Sequence, residues 1–158
     1  MKMTEIPCRR DAEWSRAADY GSLFVRLALG VSFLSAVADR FGEWGVYGQP
    51  HVAWGNFQRF TAYTGTLLWF MPAALFPLLA WIASVAEAVL GLALVLGLFT
   101  RIAALLSGIL LLLFALAMTF ALGLKAPLDF SVFSASGGAF LLAALGRYPW
   151  SLDRLLRQ

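Results

Sequence analysis

The chain has 158 residues, 61% of them hydrophobic and 13% charged, with a formal charge of +3 and a mean hydropathy of +0.77. A soluble domain carries about 25% charged residues, so the polar material here is too scarce to coat a water-exposed surface, and lipid is the implied solvent. The positive charge does not signal nucleic acid, because the basic residues sit at the ends of apolar segments and form no stripe.

Residues 1–19 read as a polar cytosolic tail with four basic residues, Lys2, Arg9, Arg10 and Arg16. Cys8 is the single cysteine. It offers neither an intramolecular disulfide nor a C-x-x-C pair and is expected to be a free cytosolic thiol. The first apolar segment, residues 20–38, contains one charge, Arg26. Its end, Ala36-Val37-Ala38, resembles a signal-peptidase site, but Arg26 interrupts the apolar stretch and no cleavage is expected. Ala28, Ser32 and Ala36 have the small-x-x-x-small spacing of close helix contacts, as do Ser134 and Gly138.

A long loop, residues 39–72, separates the first two spans and is rich in aromatic residues. Trp54, Phe57, Phe60 and Thr64 fall roughly on one helical face, which predicts an interfacial helix over about 51–64 with Trp54 and Phe57 turned inward. Two readings stay open: an aromatic belt that only anchors the protein, or a lid formed by His51, Trp54 and Phe57 over a pocket. The second span is expected at 73–99, with Pro72 or Pro77 near its first turn, where proline costs least. The third is expected at 102–124, an uncharged stretch of the length that crosses a bilayer, and the fourth at 130–146, at the short end of that range. Residues 147–158 form a basic C-terminal tail. The spans are continuously apolar, without the alternation of a barrel strand, and backbone in lipid must satisfy itself, so each is helical. The fold class is therefore all-α: a single-unit integral membrane four-helix bundle with an interfacial helix in its first loop.

Orientation follows from lysine and arginine. The two tails and the turn at Arg101 hold eight of these residues; the opposite side holds Arg40, Arg59 and Lys125. Both termini are expected in the cytoplasm, in the inner membrane of the cell.

Glu87 is the most informative residue. An acid deep in a span costs about 2.5–3.5 kcal/mol on insertion scales, so it is expected to face the bundle interior. Ala80, Ser84 and Gly91 share its face. Ser32, Ser35, Ser134 and Ser136 lie at similar depth, so a polar pocket of Glu87 with some of these serines is geometrically available. The plainer reading is a carboxyl that burial keeps neutral and that hydrogen-bonds a neighbouring helix, with each serine bonded to its own backbone; on either reading Glu87→Gln should leave thermal stability near normal, and on the ligand-binding one it should weaken binding of a quinone analogue. Arg26 is a candidate partner, but it sits only about 6 Å into its span, and snorkelling to the headgroups is expected instead. Asp39, Lys125 and Asp129 are placed at the outer surface. His51 has no companions at ligand spacing, so no metal site is expected. No catalytic residue can be named, and no nucleotide-binding or hydrolase motif is present.

Three stretches, RLALGVSFLSAVADRFG (26–42), AEAVLGLALVLGLFTRIAALL (86–106) and YPWSLDRLL (148–156), resemble the DoxX-like family of small four-helix membrane proteins. The resemblance covers roughly residues 20–157, and the family motif falls on Arg26, Glu87 and Arg101. It implies a four-helix bundle and a link to quinone-coupled redox systems, since the related DoxD subunit belongs to a thiosulfate:quinone oxidoreductase. The chain departs from thiol-oxidising relatives in lacking their cysteine pair. Two functions follow as expectations: an accessory subunit of a membrane redox system that binds a quinone or another lipophilic molecule, or a non-catalytic lipid-binding or scaffolding protein. A cofactor would have to be borrowed, and a non-enzymatic role is favoured for the isolated chain. The lipid bilayer is the expected partner. A redox partner and a homo-oligomer are compatible with the sequence.

Overall fold

The structure, a computed structural model, describes the backbone of residues 9–155 and the side chains of residues 14–154. Cys8 and the first part of the polar tail lie outside the described residues. The first helix, α1, runs Arg9–Arg40, so it begins well before the apolar segment expected at residue 20. The stretch from Asp11 to Asp19 holds alanines, acids and arginine and no glycine or proline, so nothing in it opposes a helix. Polarity marks where a helix leaves the lipid; it does not mark where the helix ends.

After α1 the chain turns repeatedly, with Gly42, Gly45, Gly48 and Gly55 at positive φ. The loop helix, α2, spans Phe57–Leu67 and so starts later than the expected 51. Gly55 has φ +66 and Asn56 supplies the N-cap, its side chain accepting from the Arg59 backbone N–H at 3.0 Å. The amphipathic pattern reaches one turn further back than this cap allows, which is why pattern alone misplaced the start. Phe60 and Thr64 face inward. Trp54 packs edge-on against Phe60, and Phe57 lies between Phe41 and Trp81.

A 3-10 turn at Ala73–Leu75 leads into α3, Phe76–Leu96, with Pro77 in its first turn. Gly97 ends α3 in the left-handed conformation, φ +71, a common helix stop. α4 follows at once, Thr100–Leu122. A short α5, Lys125–Asp129, carries an exposed ion pair between its two end residues. Then come α6, Val132–Leu145, and a last turn, α7, Leu152–Leu155.

The four long helices form a ring in which α1 packs on α3 and α6, and α4 packs on the same two. Its core is built from small residues and leucines: Leu29, Leu94, Ala103, Ala104, Ala139, Leu142 and Ala143. Large apolar side chains point outward instead, Phe24 and Phe120 among them, the latter 79% exposed. Patches of this extent are rare on soluble monomers, and small residues inside are what close packing in lipid requires. Helices α1, α3 and α4 are long and apolar enough to cross a membrane, whereas α6 has 14 residues. At 1.5 Å per residue α6 is about 21 Å long. It nevertheless returns the chain to the end where it began, because the Ser22 hydroxyl donates to the Arg147 carbonyl at 2.9 Å.

The tight contact of α1 is not the expected Ala28–Ser32–Ala36 stripe, in which Ala28 and Ser32 are exposed. It is Gly30 against Gly91: a Cβ on Gly30 would meet the Gly91 carbonyl oxygen at 2.9 Å. The reason lies in the charges. Arg26, Phe33 and Arg40 are seven residues apart, two turns each, and share the face of α1 that carries Gly30. Burying both arginines turns that face inward and leaves the small stripe outside.

Candidate functional site

Two polar constellations meet at the loop end of α1. The first is a buried ion pair. The Arg40 Nη2 donates to both Glu87 oxygens at 2.8 Å, and Nη1 donates to the Ser84 hydroxyl at 2.9 Å. Ser84 in turn donates to the Ala80 carbonyl at 2.9 Å. The guanidinium lies 3.7 Å from the centre of the Phe60 ring, so α2 closes the site from above. Arg40 and Glu87 are 4% and 2% exposed. The guanidinium meets the carboxylate through Nη2 alone and gives Nη1 to Ser84, so the pairing and these hydrogen bonds together offset the desolvation of both charges.

Arg40 is the residue of this buried pair that sequence reasoning missed. It stands at the apparent end of an apolar segment and counts there as a loop cation. Two signals could have found it: its helical phase with Arg26, and the lean of a long side chain toward its helix N-terminus, which carries the guanidinium back to the level of Glu87. Its neighbour Asp39, placed by the sequence at the outer surface, is also buried. Asp39 Oδ2 accepts from the backbone N–H groups of Ala53 and Trp54 at 3.1 and 2.9 Å, which pins the loop to the bundle. Its Oδ1 is buried with no partner among the described residues.

The second constellation is a groove of about 560 Å³ between α1 and the loop, lined by Val31, Ser32, Ser35, Ala36, Asp39, Trp44, His51, Ala53 and Trp54. Trp44 donates its indole N–H to the Ser35 carbonyl at 3.2 Å. The groove brings Ser32, Ser35, His51 and Trp54 together. It does not contain the other candidates. Glu87 and Ser84 are bonded to Arg40 instead. Ser136 donates to the Gly108 carbonyl at 2.8 Å and ties α6 to α4, while Ser134 is exposed. Phe57 belongs to the aromatic stack, not to the groove. The single pocket of Glu87 with the serines is thus divided in two, with Asp39 and Arg40, adjacent in sequence, serving one part each.

Arg26 is also placed differently from expectation. It does not snorkel: it is 2% exposed, and its Nη groups donate to the Pro149 and Trp150 carbonyls at 3.4 and 2.9 Å. The C-terminal segment folds over the α3–α4 turn to supply those carbonyls. Asp153 caps α4, its oxygens accepting from the Phe99 and Thr100 backbone N–H groups at 2.6 and 2.7 Å. A Cβ on Gly97 would lie 2.7 Å from the Ser151 Cα, so only glycine fits there. Tyr148 donates to the Leu142 and Ala143 carbonyls at the end of α6. Burial pushes its hydroxyl above the ordinary range, against the opposing pull of Arg101, so it stays a donor at neutral pH.

The buried acid of α3, the glycine stop and the arginine that opens α4 are now on one scaffold, and the family model for DoxX matches residues 21–121. The chain belongs to the DoxX family. The matched stretch contains the Arg40–Glu87 pair, Arg26 and the whole groove lining, while the C-terminal segment that caps α4 lies beyond it. None of the curated proteins and none of the solved structures compared matches this DoxX protein. Among its described residues, no group of three or more His, Cys, Asp or Glu side chains is placed to hold a metal.

Proposed function

We propose that this DoxX protein binds a lipid-soluble molecule with a polar head, of the quinone type, in the groove beside α1, and that it acts as an accessory subunit of a membrane redox system. The observation that carries the binding reading is the groove's composition. Hydroxyls of Ser32 and Ser35, the Asp39 carboxylate and the His51 ring border a cleft whose remaining walls are the indoles of Trp44 and Trp54, Val31 and alanines. Apolar walls with a few convergent polar groups are the usual make-up of a small-molecule site. The mouth continues onto the exposed apolar face of α1, where Leu27 and Val31 lie, so a ligand can enter from lipid. Glu87 has a positioning role in this reading: it anchors Arg40, and through the adjacent Asp39 it sets the groove wall and the loop above it. The redox assignment rests on the family link to quinone-coupled systems.

The test is equilibrium binding of a short-chain ubiquinone analogue to the full chain in nanodiscs. Ser32→Val with Ser35→Val, and separately His51→Ala, should weaken binding about tenfold while leaving the unfolding midpoint within a few degrees, since each hydrogen bond lost to a bound head is worth about 0.5–1.5 kcal/mol. Unchanged affinity in both variants refutes the groove as the site.

A further inference from the structure

At the other end of the bundle, where α6 ends and α4 begins, lies a second cavity of about 870 Å³. Three arginines line it from three separate segments: Arg101 in the first turn of α4, Arg147 just after α6, and Arg154 in α7. Two carboxylates also line it, and both are engaged. Asp153 accepts from the α4 backbone, and Asp19 lies 3.5 Å from Arg147. Three guanidinium groups against two carboxylates leave the cavity one positive charge in excess, although Arg147 also donates to the Ser15 hydroxyl at 2.7 Å; the start of α4 is already satisfied by Asp153, so any anion here would be held by guanidinium groups. Thr100 also borders the cavity, and its hydroxyl is buried with no partner among the described residues.

We infer that this cavity is a binding site for the phosphate headgroup of an anionic phospholipid, held by Arg101, Arg147 and Arg154. Guanidinium forks suit phosphate oxygens, to which they donate two bonds at once. The lipid source follows from the surroundings. Phe99 and Ile102 border the cavity and are 71% and 58% exposed, so acyl chains can leave along the apolar flank of α4, where a soluble phosphate would gain nothing. The exposed rings of Tyr20 and Trp150 stack at 5.6 Å beside it, an aromatic pair of the kind that marks headgroup level.

The full chain in detergent is titrated with phosphatidylglycerol or phosphatidylcholine, and bound lipid is counted by native mass spectrometry. Phosphatidylglycerol should bind at least about fivefold more tightly than phosphatidylcholine, and each of Arg101→Gln and Arg154→Gln should remove roughly fivefold of that preference, as expected for one cation near an anionic surface. Phosphatidylcholine, whose choline cation offsets its phosphate charge, should lose less. Arg154 is exposed on the last turn, so Arg154→Gln tests the site even where Arg101→Gln does not fold. Equal binding of the two lipids overturns the proposal, as does wild-type phosphatidylglycerol affinity in the folded variants. Inorganic phosphate is the third arm: thermal stabilisation equal to that given by phosphatidylglycerol at matched phosphate concentration overturns the lipid assignment in favour of a free anion.

Discussion

Glu87→Gln separates the structural account from the one expected from sequence alone. An acid bonded to a neighbouring helix as a neutral group could be exchanged for an amide with little effect. The structure pairs it with a buried guanidinium through two 2.8 Å contacts, so the amide would leave Arg40 without its counter-charge. Two unit charges about 4 Å apart interact by about 4 kcal/mol at an effective dielectric of 20, and removing one partner of a buried pair costs about 3–5 kcal/mol. For a chain of this size each kcal/mol moves the unfolding midpoint by roughly 2–4 °C, so Glu87→Gln and Arg40→Met should each lower it by at least about 6 °C. The double variant should recover a large part of the loss, because neither charge is then stranded. The assay is thermal unfolding of the four proteins in one detergent, read as a double-mutant cycle. Losses below about 2 °C for the single variants, or losses that simply add in the double variant, refute the paired-charge account of this site.

Two further outcomes follow from packing and charge. Gly30→Leu should destabilise by about 1–3 kcal/mol, because a Cβ already meets Gly91 and Val95 there, whereas Gly21→Ala, with nothing within 4 Å, should be neutral or stabilise by about 0.5–1 kcal/mol; unfolding midpoints of the two variants check this pair. Reporter fusions should place Gln49 on the side opposite Gln158, with both termini in the cytoplasm, and finding Gln49 and Gln158 on one side would contradict the charge-based orientation.

What could be read in the sequence depended on whether the signal was local. Uninterrupted apolar runs made α3 and α4 visible to within a few residues, because lipid demands a helix wherever backbone polar groups lack water. The loop helix was visible as a pattern, but its start was set by Gly55 and Asn56, a two-residue stop and cap that the aromatic spacing overran. Glu87 stood out as an acid in lipid. Its partner did not, since Arg40 looks like any cation at the end of a span until its phase with Arg26 is considered.

Composition and hydropathy by themselves determined that this is an all-helical membrane protein, and the motifs placed it within a family, since both are summed over many residues and survive errors at any one. The tertiary structure alone decided which face of α1 turns inward, which charge neutralises Glu87, and that the serines and the acid belong to separate sites. It also decided that Arg26 is capped by carbonyls more than 120 residues away. Each of these is a choice between near-equivalent helical faces or side-chain partners. The balance is settled by how two buried arginines and two glycines can be satisfied at once, a condition that no single segment of the chain contains.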